Sequence, residues 1–121
     1  MTRGKILVVD DSATDLTVMA TPLRRDGYTV VTASNGDEAL KQLEREPFDL
    51  LLLDVIMPGL NGFQLCRDLR RNTRYAGLPI VLVTSKSQEP DRRWGLKQGA
   101  DDYLTKPFST EQLLDTVQRH M

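Results

Sequence analysis

The sequence contains one cysteine, Cys66, so no internal disulfide is possible and the fold has to hold by packing alone. A lone thiol in such a chain is expected in the core rather than at a reactive site. No apolar run approaches the roughly 18 residues that a membrane span needs, and residues 1–5 lead into a short apolar segment without the features of a secretory leader. These absences give the expectation of a cytoplasmic protein that does not insert into a membrane. Charge of one sign is also missing. Sixteen Lys and Arg stand against 17 Asp and Glu, a formal net charge of −1, so there is no basic footprint for direct nucleic-acid binding. Internal repeats, low-complexity stretches and linkers are absent. At 121 residues the chain suits a single domain, 1–121, with its own core.

What is present alternates. Ile6 to Val9 and Leu50 to Leu53 are short, continuous apolar runs, the pattern of strands covered on both faces. Tyr28 to Ala33 and Ile80 to Val83 have strand character, and a shorter strand is expected near Tyr103-Leu104. Between them lie helical patterns: Leu16, Met19, Ala20 and Leu23; Ala39, Leu40 and Leu43; Leu65, Cys66 and Leu69; and Leu113, Leu114 and Val117. Ser12 with Asp15, and Ser109 with Gln112, have the spacing of capping boxes. Met57-Pro58-Gly59-Leu60-Asn61-Gly62 reads as a loop. The segment from Pro90 to Gln98 predicts a weak helix with almost no apolar stripe, in which Gly95 costs about 1 kcal/mol against Ala. On that helix Leu96 is expected on the buried face and Trp94 away from it, either exposed to anchor a partner or folded back onto a neighbouring loop.

Five strand–helix units in alternation predict an α/β fold, a doubly wound, five-stranded parallel sheet. The strand order 2-1-3-4-5 of flavodoxin-like folds fits this length, and ligands in such sheets bind beyond the carboxyl ends of the strands. The residues at those ends are Asp10 and Asp11 after the first strand, Asp54 after the third, Thr84 at the fourth and Lys106 after the fifth. Any one of these has an ordinary explanation, since a strand-end Asp usually caps a turn. Together they are the parts for phosphoryl transfer: a carboxylate nucleophile in Asp54, an ammonium and a hydroxyl for the phosphoryl oxygens, and an oxygen-only ligand set suited to Mg²⁺, with Mn²⁺ as the alternative.

The runs Val8-Val9-Asp10-Asp11-Ser12, Leu53-Asp54 through Gly62, Val83-Thr84-Ser85, and Gly99 through Lys106-Pro107-Phe108 resemble the CheY-like receiver family over essentially the whole chain. The resemblance implies that Asp54 is phosphorylated by a histidine kinase. It implies that Asp10, Asp11, Asp54 and the Ile56 carbonyl hold Mg²⁺, that Thr84 and Tyr103 are switch residues, and that Lys106 binds the phosphoryl group. It also implies a cis Lys106–Pro107 peptide and places Ile56 and Lys86 at the mouth of the site. Within the family, Trp94-Gly95, Gln98-Gly99-Ala100 and the run from Asp102 to Pro107 are similar to PilH-type receivers of twitching motility, and a phototaxis receiver of cyanobacterial type would look much the same. The implied function is a signalling switch that acts on a protein output partner, with no enzymatic activity beyond its own phosphorylation and dephosphorylation. The alternatives are a phosphate sink for a shared kinase and a haloacid-type phosphohydrolase. The latter requires a second Asp where this chain has Ser12.

Overall fold

The computed structural model describes residues 2–121. In chain order the elements are β1 (Lys5–Val9), α1 (Ala13–Arg25), β2 (Thr29–Ala33), α2 (Gly36–Arg45), β3 (Leu50–Leu53), β4 (Ile56–Met57), β5 (Leu60–Asn61), α3 (Gly62–Arg71), β6 (Ile80–Thr84), α4 (Glu89–Lys97), β7 (Asp102–Thr105) and α5 (Thr110–Arg119). Five strands form a parallel sheet in the order β2-β1-β3-β6-β7. Counting only those five, this is the expected order 2-1-3-4-5.

Strand periodicity divides the core. Leu7, Val9, Leu51, Leu53, Ile80 and Leu82 point to one face and meet Ala39 and Leu43 of α2 and Leu65, Cys66 and Leu69 of α3. Ile6, Val8, Leu50, Leu52, Val81 and Val83 point to the other and meet Met19, Ala20 and Leu23 of α1 with Leu113 and Val117 of α5. Both faces are covered, which is why β1, β3 and β6 read as unbroken apolar runs.

Register then aligns the strand ends. Val9 lies between Ala33 and Leu53, and Thr84 lies opposite Thr105. Residues 10, 54 and 106 therefore follow at one edge of the sheet.

The segment expected to be a loop contains a two-residue antiparallel pair, Ile56 with Asn61 and Met57 with Leu60. The Pro58-Gly59 turn masked it in the sequence, because two residues per strand give no periodicity. Asn61 then caps α3, its Oδ1 accepting from the Phe63 amide at 2.8 Å. Ser109 and Gln112 form the complete expected capping box. Only half of the other forms. Ser12 Oγ accepts from the Asp15 amide at 3.2 Å, but the Ser12 amide donates to Asp10 Oδ1 at 3.0 Å.

Helix α4 corrects the reading of its faces. Trp94 is exposed, one of the two outcomes expected for it, but Leu96 is 39% exposed and the residue that α4 buries is Gly95. A Cβ at Gly95 would stand 2.8 Å from Leu82 Cδ1, 3.1 Å from Phe63 Cε1 and 3.2 Å from a Tyr103 ring carbon. With no apolar stripe to dock, the helix backbone itself approaches the sheet, and glycine is what permits it. Helix propensity alone favours Ala at this position by about 1 kcal/mol. Overpacking three rigid neighbours costs about 1–3 kcal/mol. The Gly95→Ala protein is therefore expected to be less stable than the parent in urea denaturation; a higher midpoint would show that α4 is held too loosely for the contact to matter.

Candidate functional site

Asp10 leaves β1 fully buried. Its amide continues the ladder to Ala33 O at 3.1 Å, so its backbone is fixed by the strand before its side chain acts. Asp54 leaves β3 in the same way, donating from its amide to Val9 O at 2.9 Å, and is 6% exposed. Asp11, one residue beyond Asp10, is exposed. One carboxylate oxygen from each of Asp10, Asp11 and Asp54 lies within 4.8 Å of the others. These are the carboxylates that the sequence placed at one edge.

Lys106 follows β7, and its amide donates to Thr84 O at 2.8 Å. The peptide to Pro107 is cis, as the resemblance implied. The Lys106 ammonium donates to Asp10 Oδ2 at 2.6 Å and to Asp15 Oδ2 at 2.8 Å, and stands 3.9 Å from Asp54 Oδ2. Asp15 is a residue of the site that sequence reasoning missed. Its spacing from Ser12 was read as a cap. The available signal was its length: capping boxes use Glu or Gln at this position to reach back, and Asp is one methylene shorter.

Three carboxylates, on Asp10, Asp15 and Asp54, thus face one ammonium, and a fourth, on Asp11, is grouped with Asp10 and Asp54. Burial is the main reason that the Asp54 carboxyl is pushed up from 3.8 to about 6. The Lys106 ammonium opposes that shift and the Asp10 charge adds to it. Burial of Lys106 works against its charge, but hydrogen bonds to Asp10 and Asp15 outweigh it and raise the amine above its ordinary value. The remaining excess of negative charge, presented by oxygen atoms alone, fits a hard divalent cation. Zinc prefers nitrogen and sulfur.

Around this centre, Thr84 ends β6 fully buried, and its Oγ1 accepts from the Lys86 amide at 3.4 Å. Tyr103 is turned inward, and its phenol donates to Lys86 O at 2.7 Å. Burial, followed by the Asp91 charge, pushes that phenol up to about 12, so it remains a donor at any ordinary pH. Ile56, 55% exposed, lines an open depression with Lys86, Val55, Met57, Gly59 and Asn61, on the segment that follows Asp54. Gly62 packs directly on the backbone of Asp54 and Val55; a Cβ there would stand 2.7 Å from Val55 Cα. The hairpin thereby closes onto the aspartate and fixes its main chain. Trp94 does not line the site. Cys66 is buried with its thiol pushed up to about 11, mainly by desolvation, which makes it an inert core residue.

Comparison with known proteins agrees with this geometry. Residues 6–118 match the model of the response regulator receiver domain. The chain is 43% identical over 114 residues to protein PilH of Pseudomonas aeruginosa, covering 94% of each chain. It is 48% identical over 109 residues to PhoP of Bacillus subtilis, an alkaline phosphatase synthesis transcriptional regulator, and there it spans only 45% of the relative's length. The structure superimposes on the chemotaxis response regulator CheY4 of Vibrio cholerae with a TM-score of 0.92 at 36% identity, covering 99% of this chain and all of the other. Strand-end aspartates gathered around one lysine, on this sheet and with these relatives, identify the chain as a member of the response regulator receiver domain family.

Proposed function

We propose that Asp54 accepts a phosphoryl group from the phosphohistidine of a sensor kinase and that the resulting charge changes which protein the domain binds. Receiver domains take phosphate from histidine kinases and act on output partners, and the family binds Mg²⁺ at its aspartate cluster. The observation that carries the residue-level reading is the buried Asp54 carboxylate, 3.9 Å from the Lys106 ammonium and grouped with Asp10 and Asp11.

In this reading Asp10, Asp11, Asp54 and the Ile56 carbonyl hold Mg²⁺. The bound ion supplies positive charge to the phosphoryl oxygens. Asp54 forms the new P–O bond as the donor's P–N bond breaks. Lys106 donates to one phosphoryl oxygen, and Thr84 donates its hydroxyl to another. Tyr103 and Thr84 report the change to the β6–α4 segment through the bonds that both make at Lys86. Residues 1–121 act as one receiver domain in the cytoplasm. Similarity to PilH over almost all of both chains favours a role in surface motility of the type IV pilus or chemotaxis-like kind.

Three outcomes follow from the site. The Asp54→Asn protein is expected to take no label from acetyl phosphate with Mg²⁺, whereas the parent is labelled; undiminished labelling of the variant would move the acceptor elsewhere. A second outcome concerns stability in metal-free buffer. Asp54 has a folded value of about 6 against 3.8 unfolded, so its contribution is fully present below pH 4 and is lost as pH rises through 6. A change of that size corresponds to at most roughly 3 kcal/mol. Asp54→Asn should therefore exceed the parent in stability above pH 6, and the gap should close towards pH 4. Equal unfolding midpoints at pH 8 would mean that the carboxylate is not strained. The third concerns lifetime. Ile56 offers no hydrogen bond to a hydrolytic water, and Lys86 offers no acceptor. Decay of labelled protein is expected to be faster in Ile56→Asn and less altered in Lys86→Ala. An Ile56→Asn protein that loses label no faster than the parent would clear this position of any control over hydrolysis.

A further inference from the structure

Lys106 has three N–H donors. Two are committed, to Asp10 at 2.6 Å and to Asp15 at 2.8 Å, while Asp54 Oδ2 lies 3.9 Å away, beyond hydrogen-bond reach. Asp15 belongs to α1. Its own backbone is pinned by Ser12 Oγ, and its carboxylate is released from capping because Asp10 already takes the Ser12 amide. A closed network results: Asp10 holds the Ser12 amide, Ser12 holds the Asp15 amide, and both carboxylates hold Lys106. Asp15 lies outside the group of three carboxylates that fits a cation.

We propose that Asp15 is a positioning residue for the phosphorylation of Asp54: it holds the Lys106 ammonium at the rim of the site with one N–H left for a phosphoryl oxygen. This rests on the reading of Asp54 as the acceptor. The need for it follows from the charge sharing at Asp10. A lysine side chain carries four flexible methylenes and about 2 kcal/mol of rotamer entropy. Once Asp10 also serves a cation, the two positive charges share one carboxylate and its hold on the ammonium weakens. Asp15 is free of that competition and keeps the amine in place. The plain alternative is a half-exposed ion pair that adds a little stability and nothing else; the Asp15 side chain is 40% exposed and that of Lys106 18%.

The experiment measures uptake of label from acetyl phosphate at saturating donor and saturating Mg²⁺. It compares the parent, Asp15→Ala, Asp15→Asn, Lys106→Met and the Asp15→Ala/Lys106→Met double variant, each also melted to record stability. A charge-assisted hydrogen bond at a partly exposed place predicts uptake about five- to ten-fold slower in Asp15→Ala. Asp15→Asn, which keeps an acceptor without the charge, should fall between. In the Lys106→Met background the Asp15→Ala change should be silent, since there is no ammonium left to position. Parent-like uptake by Asp15→Ala would overturn the proposal, whether or not its melting point falls. So would a slowing that persists without Lys106. Failure of the underlying reading looks different: the parent itself would take no label, or Asp54→Asn would still take it.

Discussion

Asp10 and Asp54 are carried into the same buried corner by neighbouring strands, and the Lys106 ammonium stands between them with bonds to Asp10 and Asp15 and none to Asp54. Everything else at the carboxyl edge of the sheet is arranged around this imbalance. Burial, with a smaller contribution from the Asp10 charge, pushes the Asp54 carboxyl up to about 6, against the opposing pull of the Lys106 ammonium. The site is thus a place where added positive charge is favourable and where the free energy of the fold gives way to the needs of the chemistry. The stability sacrificed at Asp54 is supplied by the sheet. Ile6 through Val9, Leu50 through Leu53 and Ile80 through Val83 are all fully buried, and each such side chain contributes on the order of 1.5–3 kcal/mol.

The same sheet explains the accuracy of the placement. Parallel register is set by ladders on both sides of β1 and β3, so a slip of either strand would break its pairing with two neighbours at once. The first residues after those strands inherit that rigidity through backbone bonds, Asp10 to Ala33 O and Asp54 to Val9 O. On the loop side, Gly62 presses its backbone against Asp54 and Val55 and returns an amide to Val55 O at 2.8 Å. The aspartate is therefore held by main-chain contacts from two directions.

Most of this was legible in the sequence because it rests on patterns longer than a few residues. Continuous apolar runs gave the three central strands, and the residues ending them gave the strand-end constellation. What escaped was short or made by a side chain acting against its usual habit. The Ile56–Asn61 hairpin has too few residues to show a period. Leu96 is exposed because α4 docks through the bare backbone of Gly95, which a hydrophobic count scores as a defect. Asp15 looked like a cap and is a partner of Lys106, a distinction that depends on the Ser12 amide being claimed by Asp10. None of these is set by local propensity; each is decided by what another segment brings into range.

The contrast between α4 and its neighbours bears on how a charge at Asp54 is felt elsewhere. Helices α1, α2, α3 and α5 each bury apolar side chains in one of the two cores. Helix α4 buries only Gly95 and is otherwise tied by polar bonds: Arg92 donates to Tyr103 O at 3.1 Å, Asp91 lies 4.0 Å from Lys86 Nζ, and the Gln98 carbonyl accepts from Cys66 Sγ at 3.7 Å. A hydrogen bond of this kind contributes about 1 kcal/mol net, whereas stripping a buried leucine face costs several times that. One of those ties, from Asp91 to Lys86, reaches the segment between Thr84 and Glu89, whose Lys86 carbonyl is also held by the Tyr103 phenol. Thr84 ends β6 at the carboxyl edge of the sheet, and its hydroxyl accepts from the Lys86 amide. Helix α4 is therefore held by polar bonds and by the close contact of Gly95 with the core residues Leu82, Phe63 and Tyr103, and it is tied through Lys86 to the segment that follows Thr84.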